Sequence, residues 1–290
     1  MKVSICICIR NNENYVRYID KLFSKVEQNY TNIDFEYYFY ENNSNDSTKE
    51  EINAFMKNRK GKVWMENLPN NKMKSGISLE RGIHMATIRN GFKKYHGNLD
   101  SDYVFLIDDD VIFLPDTIQQ FIDTFVSNKD DNIVMVTPFC ICNITLQKRK
   151  LLHYYDSFAV ITNDDICFTH HGNTCLYNKC LLCHTKRSIM HNKSRLSKRF
   201  TNKHLFAMNT IIPVKSAFGS FACLPTEIYN KVNWGKSICE HHSFCEEVNK
   251  YGKIVINSNI KTITTDKEYR DYELIEETLF HLTEVLNELT

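Results

Sequence analysis

The chain has 290 residues, of which 42% are hydrophobic and 24% charged, enough to bury a sizeable core in one large domain. Thirty-six Lys plus Arg against 35 Asp plus Glu leave a formal charge of +1, which excludes a globally basic nucleic-acid coat and an acidic tail. No apolar run approaches the roughly 20 residues of a membrane span. The short apolar stretch 3–9 ends at Arg10 without a cleavage site, so it reads as a first strand and not as a signal peptide. These features predict a soluble protein. With 11 Cys and no export signal, reduced thiols in a cytoplasmic setting are expected.

In chain order, residues 3–9 predict a strand, and 15–26 a helix with Val16, Ile19, Leu22, Phe23 and Val26 at helical spacing. Residues 35–40 predict a second strand, rich in Phe and Tyr. It runs into the polar turn Glu41-Asn42-Asn43-Ser44-Asn45-Asp46-Ser47, where Ser47 and Glu50 have the spacing of a capping box. A brief strand at 63–65, a helix over 79–95 and a strand over 103–107 follow, the last running straight into Asp108-Asp109-Asp110. A helix over 118–126 and a strand over 133–137 complete an alternation that implies a mainly parallel sheet with helices on both faces. In such sheets ligands sit at the carboxyl ends of the strands, and three polar clusters (10–14, 41–46 and 108–110) fall there.

The second half is less regular. Residues 166–226 hold no acid and nine Lys or Arg, with a weakly periodic insertion over 184–204. A helix over 238–251, a strand over 254–257 and an amphipathic terminal helix over 271–289 are expected, the last suited to a core or to contact between copies. The whole reads as one domain: 1–138 as a nucleotide-binding half, 139–265 as an acceptor half with a basic insertion at about 166–215, and 266–290 as a C-terminal helix.

Three consecutive carboxylates between apolar strand-like runs repel one another, and burying them unpaired would cost several kcal/mol. A divalent cation removes that conflict, because Asp oxygens are the ligands that Mg²⁺ or Mn²⁺ prefers, shared with substrate phosphates. In an extended segment Asp108 and Asp110 point the same way and Asp109 the opposite way. Asp110 then touches the metal while Asp108 is placed for a sugar or ribose hydroxyl.

This Asp triplet follows Tyr40-Glu41-Asn42-Asn43 and a helix bearing Arg81 and Arg89-Asn90. It precedes Tyr154-Tyr155-Asp156, Ser216-Ala217-Phe218-Gly219-Ser220-Phe221-Ala222 and Cys239-Glu240-His241-His242. The ordered set, over roughly residues 1–260, resembles the GT-A-fold glycosyltransferases. In pattern it is closer to the fungal capsule-type mannosyltransferases and to glycosyltransferases of large DNA viruses. The resemblance implies a Rossmann-like GT-A α/β fold and transfer of a sugar from a UDP- or GDP-sugar to a glycan or glycoprotein hydroxyl, in the cytoplasm (the host's, for a viral chain). It implies donor contacts at Glu41, Asn43, Arg81, Arg89, Asp108 and Asp109, and Mn²⁺ or Mg²⁺ on Asp108 and Asp110 with His242 as a further ligand. Gly219 and Ser220 fall on the acceptor side. Many relatives carry Glu-Asp where this sequence has Glu240-His241, so either of the two is a candidate base.

Two other enzyme-free or enzyme classes compete. A sugar nucleotidyltransferase also needs Asp-bound Mg²⁺, but the loop after the first strand, Arg10-Asn11-Asn12-Glu13-Asn14, has no Gly. A non-catalytic binding protein could keep the fold and use the basic stretch. The run Cys175, Cys180, Cys183 and His184 offers zinc ligands at irregular spacing. No aromatic-interleaved motif accompanies the basic residues, so no nucleic-acid partner is expected.

Overall fold

The computed structural model describes residues 1–68, 78–146, 149–154, 159–163 and 210–264. Strands β1 (Lys2–Ile9), β2 (Asp34–Asn42), β3 (Lys60–Glu66) and β4 (Tyr103–Asp108) pair in parallel in the order β3-β2-β1-β4. Helices α1 (Glu13–Asn29), α2 (Thr48–Met56) and α3 (Leu79–His96) connect them. The period of two along these strands sends alternate side chains to opposite faces. Val3, Ile5, Ile7, Phe105 and Ile107 join Val16, Ile19, Phe23, Ile52 and Phe55 in one core, while Cys6, Val104 and Leu106 join Ile88 and Phe92 in the other. Covered on both faces, β1 reads as a nearly continuous apolar run, as buried parallel strands do.

Beyond β4 come β5 (Val111–Ile112), α4 (Thr117–Ser127), β6 (Ile133–Leu146), β7 (Arg149–Tyr154), β8 (Ile161–Thr162), β9 (Ile211–Ser216) and β10 (Phe221–Pro225). Then follow α5 (Thr226–Lys231), α6 (Glu240–Val248) and β11 (Lys253–Thr264). The sheet continues β4-β10-β6-β11-β9-β8, with β10 antiparallel to β4 and β6 parallel to β11. One sheet thus passes through both halves of the sequence, and the α/β class with a parallel central region is as expected.

Several boundaries differ from the sequence reading. β6 and β11 run well past residues 137 and 257, because each lends the other a partner, with a register shift between Asn257 and Lys261. β9 and β10 were not expected. The segment 216–222 is buried, with Phe218 and Phe221 fully enclosed and a tight turn at Gly219 (φ 64°) and Ser220 (φ 57°). The Ser47–Glu50 capping box does not form: the Ser47 side chain makes no cap at α2. The terminal helix expected over 271–289, and the run Cys175–His184 with its basic surroundings, lie outside the described residues.

Helix α3 is seated by specific contacts. Ser78 caps its first turn, accepting from the Arg81 N–H at 3.2 Å. Near its other end, the Lys93 ammonium donates to the carbonyls of Tyr229 (2.6 Å), Asn230 (3.1 Å) and Val232, closing the C-terminal turn of α5. Burial pulls Lys93 down to about 8. Gly82 passes so close to the next segment that a Cβ there would lie 1.9 Å from the Ser237 carbonyl oxygen. No helix among the described residues is long and apolar enough to cross a membrane.

Candidate active site

The carboxyl ends of β1 and β2 carry two Asn-rich loops that hold each other by their backbones. Asn11 and Asn43 take left-handed conformations (φ 49° and 54°), which Asn tolerates better than most residues. The Asn11 N–H donates to Ser44 Oγ at 2.9 Å, and Asn45 N–H returns to Asn11 Oδ1 at 2.8 Å. Asn12 N–H reaches Thr48 Oγ1 at 2.9 Å, and Ser47 N–H reaches Glu13 Oε2 at 2.7 Å. Asp46 accepts from the N–H groups of both Glu13 (3.3 Å) and Thr48 (3.1 Å). Asp46 and Glu13 therefore serve the start of α2 in place of the Ser47–Glu50 pair.

Glu41 is fully buried, with Oε1 accepting from Ser44 N–H at 2.7 Å and Lys49 Nζ 3.7 Å from Oε2. The Asn43 side chain spans to Leu68, donating to its carbonyl at 3.2 Å and accepting from its N–H at 2.9 Å. It thereby ties the β2 loop to the end of β3.

Asp108 is the last residue of β4, and Asp109 and Asp110 lie in a turn before β5. The alternation expected of an extended triplet therefore does not apply beyond Asp108. The turn is held from both sides. Asn12 Nδ2 donates to the Asp109 carbonyl, and Arg10 N–H donates to Asp109 Oδ2 at 3.3 Å. The Tyr15 hydroxyl donates to the Val111 carbonyl at 2.9 Å, and Asp108 N–H donates to the Ser220 carbonyl at 2.8 Å. That last bond places Gly219 and Ser220 directly against the Asp triplet.

Facing the triplet, α6 begins at Glu240, whose charge suits a helix N-terminus. Glu240, His241 and His242 are all buried, not on the surface as a helix start alone would suggest. His241 stacks on Phe218 with ring centroids 3.8 Å apart, and its Nε2 lies 3.4 Å from Glu240 Oε1. Burial first, then the nearby Arg89 charge, push the His241 pKa well below the usual imidazole value, with Asp108 pulling the other way. The ring is accordingly neutral near pH 7.

Arg89 joins the two sides. Its NH2 group lies 2.9 Å from Asp108 Oδ1, and its Nε 3.5 Å from Glu240 Oε1. The guanidinium stands 5.1 Å from the Phe218 ring centroid and 6.0 Å from that of Trp234. Burial opposes its charge, but Asp108 and then Glu240 outweigh that and raise its pKa. Arg81, two turns earlier and half-buried, contributes positive charge toward His241 from the same face.

Oxygen donors at the triplet suit a hard divalent cation. Among the described residues, however, no group of three His, Cys, Asp or Glu side chains is gathered for a metal, so Asp108, Asp110 and His242 are not drawn together as a three-residue set.

Sequence reasoning missed the apolar frame of this site. Phe218 and Trp234 wall Arg89, and Asn90 holds the Trp234 backbone at both ends (2.7 and 3.0 Å). A glycine inside a helical pattern at Gly82 was the available sign of close approach between α3 and the lead-in to α6.

The family described as Glycosyl transferase family 2 matches residues 4–194. No curated protein matches. Among solved structures, S. aureus TarS (residues 1–349) superposes with a TM-score of 0.50 at 13% identity, covering 94% of this chain and 63% of that one. The mannosyltransferase PcManGT from Pyrobaculum calidifontis, in complex with GDP-Man and Mn²⁺, gives a TM-score of 0.50 at 10% identity, covering 91% of this chain and 57% of its own. At these identities the likeness is one of fold, and this chain spans less than two thirds of either protein's length.

Proposed function

The chain belongs to glycosyl transferase family 2, and on that premise we propose that it moves a sugar from a nucleoside-diphosphate donor, with a divalent cation, to an acceptor hydroxyl on a glycan or glycoprotein. One observation carries this reading: the Asp108–Asp110 turn at the carboxyl end of β4 stands across Arg89 from the buried Glu240–His241 pair. Carboxylates on one side and an acid with an imidazole on the other are what a reaction needs that releases a diphosphate and deprotonates a hydroxyl.

The interlocked loops around Glu41 and Asn43 form the floor for the nucleoside, and Arg81 and Asp109 line the approach of the donor. Asp110, with Asp108, would hold Mn²⁺ or Mg²⁺. When bound, that ion offsets the negative charge gained by the departing diphosphate. Gly219 and Ser220 shape the acceptor side. Of the two candidate bases we take Glu240, whose carboxylate opens α6 across Arg89 from the Asp108–Asp110 turn. His241 then orients Glu240 through the 3.4 Å contact.

A thermal-shift screen of UDP- and GDP-sugars, with and without Mn²⁺, tests this. The expected result is stabilisation by one nucleotide class only with metal. At a hundred times Kd it amounts to about 2.7 kcal/mol. In Asp110→Asn the metal-dependent part should vanish and donor turnover should fall at least about a hundredfold, the scale of one lost electrostatic contact to the transition state. Folded protein that shifts with no donor would remove the reading.

A further inference from the structure

Arg89 is the one cation within reach of both carboxylate groups of the site among the contacts described, and its surroundings set what it can do. A phosphate-binding arginine needs an exposed fork. The Arg89 side chain is 7% exposed, lies against Phe218 and Trp234, and already directs NH2 to Asp108 and Nε to Glu240. Two carboxylates around one guanidinium leave the cluster with a net charge of −1, which repels a diphosphate and favours a cation. The two contacts are also unequal. The Asp108 contact, at 2.9 Å, is a charge-assisted hydrogen bond, while Nε stands 3.5 Å from Glu240 without one.

Backbone contacts extend the bridge in both directions. Asp108 is bonded to Ser220 through its N–H, and Phe218, two residues before, carries the His241 ring. Asn90, next to Arg89, fixes the backbone of Trp234. We infer that Arg89 is a positioning residue that fixes the acceptor-side Glu240 relative to the donor-side Asp108, and that it does not bind the donor phosphates. This rests on the sugar-transfer reading of the site, and it shifts phosphate recognition on α3 from Arg89 to Arg81. A lysine cannot replace it, because an ammonium on a flexible stem has no planar fork that keeps the Asp108 hydrogen bond while holding positive charge 3.5 Å from Glu240.

Two measurements decide the matter. In steady-state kinetics with Mn²⁺ and the donor found in the screen, Arg89→Lys should lower kcat at least tenfold and leave donor KM within twofold. A donor KM raised tenfold or more with kcat largely kept would make Arg89 a phosphate ligand and overturn the inference. The second measurement needs no donor: melting temperatures of Asp108→Asn, Glu240→Gln and the double variant. With Arg89 shared between them, either single change leaves the guanidinium one anionic partner and the double leaves none, so the double should lose more than the sum of the singles. Additive losses would overturn the bridge. If the unaltered protein turns over no donor, the transfer reading fails, and the melting cycle still decides whether Arg89 links the two carboxylates.

Discussion

The two sides of the site are built on opposite plans. On the β1–β2 side, neutral and charged side chains of the two loops satisfy one another's backbone N–H groups through many separate bonds, from Asn11–Ser44 to Asp46–Thr48. On the α3–α6 side, one buried guanidinium serves two carboxylates, and a single glycine lets the segments approach. The first plan spreads its stability over many bonds of modest worth. The second concentrates it, so that one substitution reaches both halves of the chemistry.

Perturbing the concentrated side should have the larger effects. Replacing Arg89 by Met leaves the buried Glu240 and the half-buried Asp108 without their cation and should cost about 3–5 kcal/mol in urea unfolding, as the loss of one partner from a buried ionic group does. A loss below about 1 kcal/mol would mean that Asp108 and Glu240 are better solvated than their burial implies. Next in size, Gly82→Ala drives a methyl into the Ser237 carbonyl. Overpacking of this kind should cost about 1–3 kcal/mol. It should also lower turnover, because Ser237 leads directly into Glu240; melting and kcat measured together check both effects.

At the far end of α3, His96 sits against Tyr229, its Nε2 3.0 Å from the hydroxyl, and burial holds its pKa down to about 4 against 6.5 for a free imidazole. The folded protein resists a proton that the unfolded chain accepts. Stability from this group is therefore intact above about pH 6.5 and falls as the pH drops toward 4, reaching a loss of about 2 kcal/mol at pH 5. His96→Gln should flatten that part of the stability profile between pH 6.5 and 4. On the spread-out side the smallest effect is expected: Asn11→Gly keeps the left-handed backbone, removes one acceptor at Asn45 and should cost about 1 kcal/mol. An unfolding loss several times larger would mean that the two loops stand or fall as a unit, and would erase the contrast between the sides.

How much of this could be read from the sequence follows the same division. The β1–β4 strands and α1 and α3 were legible because both cores impose periodicity on them, and Asp108–Asp110 announced itself by its place after a strand. β10 was not: Phe221, Ala222, Cys223 and Leu224 are buried on both faces, so no alternation marks them as a strand, and the strands that flank them, β4 and β6, lie far earlier in the chain. Arg89 could be seen as a charge sharing a face with Arg81. Its partner Glu240 lies 151 positions later, and no local pattern carries a contact over that distance. Ser47 and Glu50 had the right spacing for a cap, but Glu13 and Asp46, supplied by folding, take the N–H groups first.

The chain has only two tryptophans, and they report on different places. Trp64 is 38% exposed at the β3 edge, stacked on Tyr95 at 3.5 Å, while Trp234 is 4% exposed and stacked on Phe244 at 4.2 Å beside Arg89. Their emission should separate into a red-shifted and a blue-shifted component. Replacing Trp64 by Phe would leave a single tryptophan at the wall of the guanidinium, an optical signal of that junction that needs no added dye.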